Sequence, residues 1–484
     1  MSTALDTRPA APALTPLERL EALCDPGSLT LFRTAARSAR MGERAAAGDG
    51  VLAGSGLVDG RTVFCFAQDA SFAGGSLGAE QAETIVRVHE LAGRAGAPIV
   101  GFVQSAGARM QEGLAALAGY GRIFRQQVRL SGVVPQISIV CGASAGGGSY
   151  SPALTDFVIM TERASMFLTG PGVIAKVTGE TIGAEELGGP RVHTANGVCQ
   201  AVAADERDAA RIARRLIDYL PQSSDGPRSD RAPASAPGDA PDLHVPREAR
   251  KVYDVRDVIR ALVDDGRTLE TSARFARNVV CVFAHLDGRS VGIVANQPLY
   301  LGGVLDAAAS QKAARFIRTC DSFGIPLIAL VDTPGFLPGV RQEREGVIRH
   351  GAKLVYAFAE ASVPRVTVVL RKAYGGAAIA MNSKQLGADY VLAWPTAEIG
   401  VMAARQAVEI IHRREIAAAD DPEATAARLA DRYAGEHLSL EAAASEGFVD
   451  EAIRPEDTRH RLAAALRSLD GCRGAAARHG NIQL

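Results

Sequence analysis

Two glycine turns carry the chemistry this sequence can do. Residues 134–148 read VPQISIVCGASAGGG and residues 363–377 read VPRVTVVLRKAYGGA. In each, an apolar β-rich run ends in small residues, Gly146-Gly147-Gly148 in the first and Gly375-Gly376-Ala377 in the second. Small residues at such a turn let main-chain N–H groups face a ligand oxygen unobstructed, and a helix starting there adds positive potential. This is the construction of an oxyanion hole, in which one preorganised donor is worth roughly 2.7–4 kcal/mol. A single run would be explained by close strand–helix packing. Two aligned runs favour chemistry, and two such turns need two electron-rich groups to stabilise.

Other residues offer less. Gly142-Ala143-Ser144-Ala145-Gly146 is a literal G-x-S-x-G after a strand, the elbow of serine hydrolases. The second copy keeps the glycines and has no serine there, and His193 is the only histidine downstream in the first copy, so a hydrolase triad is disfavoured. Asp69, Asp156, Asp332 and Asp389 lie at strand ends, where they cap helices or accept backbone N–H groups. Arg109 and Glu112 are close enough to pair locally. Lys312, Arg315 and Arg318 share a helix face that reads as solvated, with phosphate contact the lesser alternative. No metal-ligand spacing and no Walker GxxxxGK[ST] sequence occurs.

The elements around the turns repeat as well. Gly74-Gly75-Ser76-Leu77 resembles Gly302-Gly303-Val304-Leu305, and PIVGFVQSAGAR from Pro98 resembles PLIALVDTPGFL from Pro326. The offset hardly drifts, 326 − 98 = 228 against 364 − 135 = 229. Short β-rich runs alternate with helical stretches, which predicts an α/β layer structure with crossover helices. The 484 residues exceed one core and predict two domains, 1–220 and 249–484. The Pro/Ser/Ala/Asp-rich segment 221–248 reads as the linker between them. Residues 1–16 read as disordered, LERLEALC as a short helix, and CVFAHLDGRSVGIVANQ as a hairpin turning at Asp287-Gly288.

Formal net charge is −1, which argues against nucleic acid. Seven cysteines without a CxxC pair read as reduced core residues of a cytoplasmic protein. The N-terminus lacks the charge and apolar pattern of a signal peptide, and the apolar runs are too short to span a bilayer.

The chain closely resembles the carboxyltransferase (β) subunit of biotin-dependent acyl-CoA carboxylases, propionyl-CoA carboxylase type. The resemblance rests on SAGARMQEG (105–113), VPQISIVCGASAGGGSYSPALTDF (134–157), TGPGVI (169–174), VDTPGFLPG (331–339), RKAYGGA (371–377), LGADYVLAWPTAEIGVM (386–402) and IIHRREIA (410–417). It implies two crotonase-like ββα-superhelix domains, a homo-hexamer, and a partner carrying biotin carboxylase and biotin. It implies that Gly146 and Gly147 donate N–H groups to an acyl-CoA thioester oxygen, and that Gly376 and Ala377 donate to the ureido oxygen of biotin. Ala106, Gly107, Ala108, Arg109, Tyr150 and Ile379 would contact substrate, and Tyr374 and Gly375 would complete the biotin site. The reaction implied is carboxyl transfer from carboxybiotin to the α-carbon of an acyl-CoA, with no side-chain base and no metal in this chain. A biotin-dependent decarboxylase subunit and a non-catalytic scaffold are the alternatives. Ile379 falls where propionyl-specific relatives carry Asp, so relaxed acyl selectivity is expected.

Overall fold

The computed structural model describes residues 13–238, 240–246, 248 and 251–472. The chain divides into two compact units, Met1–Asp218 with Gln222–Pro227, and Tyr219–Pro221 with Arg228–Leu484.

In the first unit one sheet contains β1 (Thr30–Phe32), β2 (Val51–Val58), β3 (Arg61–Gln68), β4 (Ile99–Ser105), β5 (Gln136–Ala145), β6 (Phe157–Thr161), β7 (Ser165–Phe167) and β8 (Ala201–Ala203). Its order is β1-β2-β3-β4-β5-β6-β8, with β7 paired to the end of β5. The second unit contains β9 (Thr268–Glu270), β10 (Val279–Leu286), β11 (Arg289–Asn296), β12 (Leu327–Thr333), β13 (Arg365–Tyr374), β14 (Tyr390–Ala393), β15 (Glu398–Gly400) and β16 (Glu451–Ala452). The order repeats as β9-β10-β11-β12-β13-β14-β16, with β15 on β13.

Even the irregularities repeat. The first three strands of each sheet are antiparallel and the rest parallel. A register break separates Val103 from Ser105 between β4 and β5, and Val331 from Thr333 between β12 and β13. The units are two copies of one fold, as the constant offset predicts.

The central strands are mostly buried and rich in apolar residues, with helices covering them: Ala79–Ala95 and Leu114–Leu130 in the first unit, Ala307–Ser322 and Val347–Glu360 in the second. The second core joins Val280, Ile293, Ile328, Val368 and Leu392 to Trp394, whose indole N–H donates to Thr458 Oγ1 at 2.9 Å. The predicted hairpin pairs Leu286 with Arg289, and the predicted first helix runs Pro16–Leu23 behind a Thr15/Glu18 capping box. Six cysteines are buried and Cys472 is exposed, and none of the seven is in a disulfide.

Much of the segment expected to be a linker is strapped to the second unit. The Arg231 N–H donates to the Gly288 carbonyl at 2.6 Å, Val245 packs on the core, and Arg371 donates to the carbonyls of Pro246 and Glu248. Backbone hydrogen bonds hold it where apolar periodicity is absent. Residues 239 and 247 of that segment, and 1–12 of the expected disordered start, lie outside the described residues.

Candidate functional site

Strand β5 ends at Gly146, whose φ of 57° and ψ of −123° turn the chain into the short helix Gly147–Ala153. Strand β13 turns at Gly375, φ 59°, into the helix Gly375–Ala380. The two positive-φ glycines therefore correspond, which pairs Gly147 with Gly376 and Gly148 with Ala377. Among the described residues no protein oxygen accepts from the N–H of Gly147, Gly148, Gly376 or Ala377. These are orphan donors of a first helical turn, available to a ligand.

The expected role of the Gly146 amide needs correction. Its N–H donates to the Phe167 carbonyl at 3.1 Å, because β7 continues its pairing with β5 up to the turn. The free pair in the first unit is Gly147 and Gly148. A constant offset of 229 already contained this assignment, since it places Gly146 opposite Gly375.

Side chains behind the first turn hold it in place. Ser149 Oγ donates to the Ser144 carbonyl at 2.7 Å and accepts the Phe167 N–H at 3.1 Å. Ser144, the residue of the G-x-S-x-G sequence, is fully buried, and its hydroxyl donates to the Gly148 carbonyl at 2.7 Å. His193 lies against the Met166 carbonyl, 2.8 Å from Nε2. The hydrolase constellation is not assembled.

The loop after β4 supplies Ala106, exposed, and Gly107, buried. The Ala106 N–H goes to the Gly74 carbonyl and the Gly107 N–H to Ser105 Oγ, both at 3.2 Å. The Ala108 amide has no acceptor among the described residues. Arg109, expected to touch substrate, is fully buried and faces the protein. Its Nη1 meets Asp49 Oδ1 at 2.6 Å and Glu112 Oε1 at 2.9 Å, and Nη2 donates to the carbonyls of Asp49 and Ser76. Both carboxylates also accept amides from the start of helix Ala79–Ala95, Glu112 from Ala79 and Asp49 from Gln81. Burial pushes the Asp49 carboxyl up. Burial also acts on Glu112, but the Ala79 N–H, Ser38 and Arg109 outweigh it and hold that carboxyl below its ordinary value. The local pairing of Arg109 with Glu112 is as expected, and its purpose is to pin the loop.

An aromatic ring flanks each turn, from different elements. In the first unit it is Tyr120, on helix Leu114–Leu130, hydrogen-bonded to Ser105 Oγ at 3.1 Å. In the second it is Phe336, from the loop after β12, lying over Gly351 and beside Gly376. Sequence comparison of the copies missed this exchange because neither ring aligns with the other.

Tyr374, expected at the biotin site, is buried, and its hydroxyl donates to the Glu398 carboxylate of β15. Burial first, then Glu398, push its phenol up. Its side chain braces β13 to β15. Tyr150 and Ile379 are about half exposed on the two short helices, open to a ligand.

Strand-end aspartates behave as expected: Asp156 accepts from the Gln136 N–H at 2.8 Å and Asp389 from the Arg365 N–H at 2.7 Å. Asp332 is fully buried against Arg371 Nε at 2.8 Å and accepts the Tyr253 hydroxyl. Of the helix face expected to be solvated, Arg315 is exposed and Arg318 partly so, but Lys312 is not. Its Nζ is buried and donates to the carbonyls of Phe275, Ala276 and Val279. Among the described residues no cluster of His, Cys, Asp and Glu could hold a metal, and no helix is long and apolar enough to cross a membrane.

A duplicated α/β unit that presents main-chain amides at matching turns, with its candidate serine tied up, defines an enzyme class that stabilises oxyanions without a side-chain nucleophile. The chain belongs to the carboxyl transferase domain family, which it matches over residues 10–480. It is 50% identical to the propionyl-CoA carboxylase carboxyltransferase subunit of Haloferax mediterranei, over 97% of this chain and 93% of that one. It is 47% identical to the methylmalonyl-CoA decarboxylase subunit alpha of Propionigenium modestum, over 90% and 86%. The crystal structure of the transcarboxylase 12S hexamer with methylmalonyl-coenzyme A bound superimposes with a TM-score of 0.94 at 48% identity, covering 98% of this chain and 92% of that one. Each unit is a crotonase-like domain.

Proposed function

We propose that this chain transfers a carboxyl group between biotin carried on a separate subunit and the α-carbon of a short- to medium-chain acyl-CoA, forming an alkylmalonyl-CoA. The observation that carries this reading is the pair of unengaged amides at the same turn of both units, Gly147/Gly148 and Gly376/Ala377.

The first unit takes the thioester and the second takes biotin. Carboxylated biotin, when bound, supplies the carboxyl group. The donor set fits it: two N–H groups suit a ureido oxygen, and a Cβ added at Gly376 would meet nothing closer than the Phe336 ring at 3.9 Å. On the thioester side, the Gly147 and Gly148 amides take up the charge that develops on the carbonyl oxygen as the α-proton leaves. Ser149 and Arg109 keep that turn and the neighbouring loop from relaxing, so the donors cost no reorganisation during the reaction. Tyr150 lines the approach to the first turn and Ile379 the approach to the second. As in the transcarboxylase relative, the assembly is a hexamer, with a biotinylated partner. Six buried cysteines outside any disulfide support a cytoplasmic home.

Reconstitution with a biotinylated carboxylase subunit, ATP, labelled bicarbonate and a series of acyl-CoAs tests this. Label should enter the acyl-CoA only when both proteins are present, and its absence across the series would overturn the reading. A decarboxylase role is the second reading, favoured by the 47% identity to the Propionigenium modestum subunit. Carboxylation with the soluble partner argues against it, and activity only with a polytopic membrane subunit would establish it. A scaffold role would be revived by a Gly147→Pro or Gly376→Pro variant with full turnover.

A further inference from the structure

Helix Val347–Glu360 in the second unit carries Arg349 and Lys353 one turn apart, and neither forms an ion pair among the described residues. Like charges at i and i+4 repel, and cations near a helix N-terminus oppose the macrodipole. Between them lies His350, 8% exposed, with Arg349 Nη2 3.3 Å from its Nε2. A guanidinium can only donate, so Nε2 accepts and the ring proton sits on Nδ1. That Nδ1 is buried with no hydrogen-bond partner. Burial, then Lys353 and Arg349, push the imidazole down, keeping it in this neutral form. Burial, then Arg349, pushes the Lys353 amine down.

Two cations without a carboxylate partner and a buried imidazole N–H without an acceptor thus lie together on one helix, an arrangement that is unfavourable by itself. An anion would relieve all of it, accepting from Nδ1–H and neutralising both cations. The spot also adjoins the glycine turn. Gly351, the next residue, packs on the Phe336 ring (3.3 Å from an added Cβ), and that ring borders Gly376. The carboxylates nearest in the chain are engaged elsewhere, Glu345 with Arg341 and Gln342, and Glu360 with Arg318.

We infer that Arg349, His350 and Lys353 form an oxyanion subsite near the Gly376/Ala377 turn that takes a carboxylate or phosphate group of a ligand. The subsite itself stands on local geometry; only the nature of its ligand rests on the carboxyl-transfer reading. Calorimetric titration of the full chain with inorganic pyrophosphate needs no turnover and so tests the subsite even if that reading fails. Wild type should bind with an affinity that falls as KCl rises, and Lys353→Met should weaken binding roughly tenfold, one charge-assisted contact. Lys353→Met should melt no lower than wild type, since it removes a repulsion. Equal pyrophosphate binding by wild type and Lys353→Met, or no binding by wild type, would overturn the proposal. In the reconstituted enzyme, Lys353→Met should raise KM with little change in kcat. A KM effect that persists with acyl-pantetheine, which lacks the nucleotide phosphates, assigns the subsite to a carboxylate, and one that vanishes assigns it to phosphate. No KM effect with either substrate counts against the subsite.

Discussion

Gly146 and Gly375 share a positive φ, 57° and 59°, at the ends of corresponding strands 229 residues apart. Positive φ is nearly free for glycine and strained for other residues, so both turns are set by the chain itself. The amide after each of them has no protein acceptor among the described residues.

The two turns should respond differently to a methyl group. A Cβ at Gly147 would lie 2.7 Å from the Tyr120 ring, whereas one at Gly376 meets only ordinary contacts. Gly147→Ala should therefore lower kcat by roughly 10²–10³, the effect of losing a hole donor, while Gly376→Ala stays within a few-fold of wild type. Adding Tyr120→Leu to Gly147→Ala should recover part of the loss in steady-state assays. A fully active Gly147→Ala enzyme would contradict the assignment.

Arg109 should matter for stability before it matters for chemistry. Arg109→Met leaves Asp49 and Glu112 buried without their cation, a change of about 3–5 kcal/mol. Thermal melting should fall sharply, and Arg109→Lys should rescue little, because one ammonium cannot make the four contacts of the fork. Adding Asp49→Asn and Glu112→Gln to Arg109→Met should restore part of the melting temperature.

His89 makes the first unit sensitive to mild acid. Burial pushes its imidazole down to about 4, only partly offset by the hydrogen bond to the Ile85 carbonyl at 2.8 Å. An unfolded histidine takes up its proton near pH 6.5. Stability from this group is complete above that pH, declines by roughly 1.4 kcal/mol per unit on acidification, and levels off below about 4. In denaturation between pH 6.5 and 5, His89→Gln should show a shallower loss than wild type. Identical slopes would refute this.

Ile379 should loosen acyl selectivity. It is 53% exposed on the helix that follows the second turn, an apolar surface where a carboxylate would repel longer chains. The kcat/KM ratio for butyryl-CoA over propionyl-CoA should lie within about tenfold of unity, a methylene being worth roughly 1–3 kcal/mol, and Ile379→Asp should lower it. A ratio that Ile379→Asp does not move would remove the residue from the specificity determinants.

Repetition made the fold legible from residues alone. Apolar runs entering glycine turns, recurring at 228–229 positions, specify two equal α/β units because strand burial and positive φ are local demands on residue type. The strand-end role of Asp156 and Asp389 was legible for the same reason. Which amide stays free was not, since it depends on how far β7 follows β5: Phe167 reaches Gly146 across a tertiary pairing. Tertiary structure alone also decided that Ser144 is enclosed, that Tyr374 is held by Glu398, and that Arg109 and Lys312 face inward. Those outcomes depend on partners dozens of residues away, brought near by sheet order, and a side chain's charge or hydroxyl does not reveal whether its neighbour will be solvent, a carbonyl or a carboxylate.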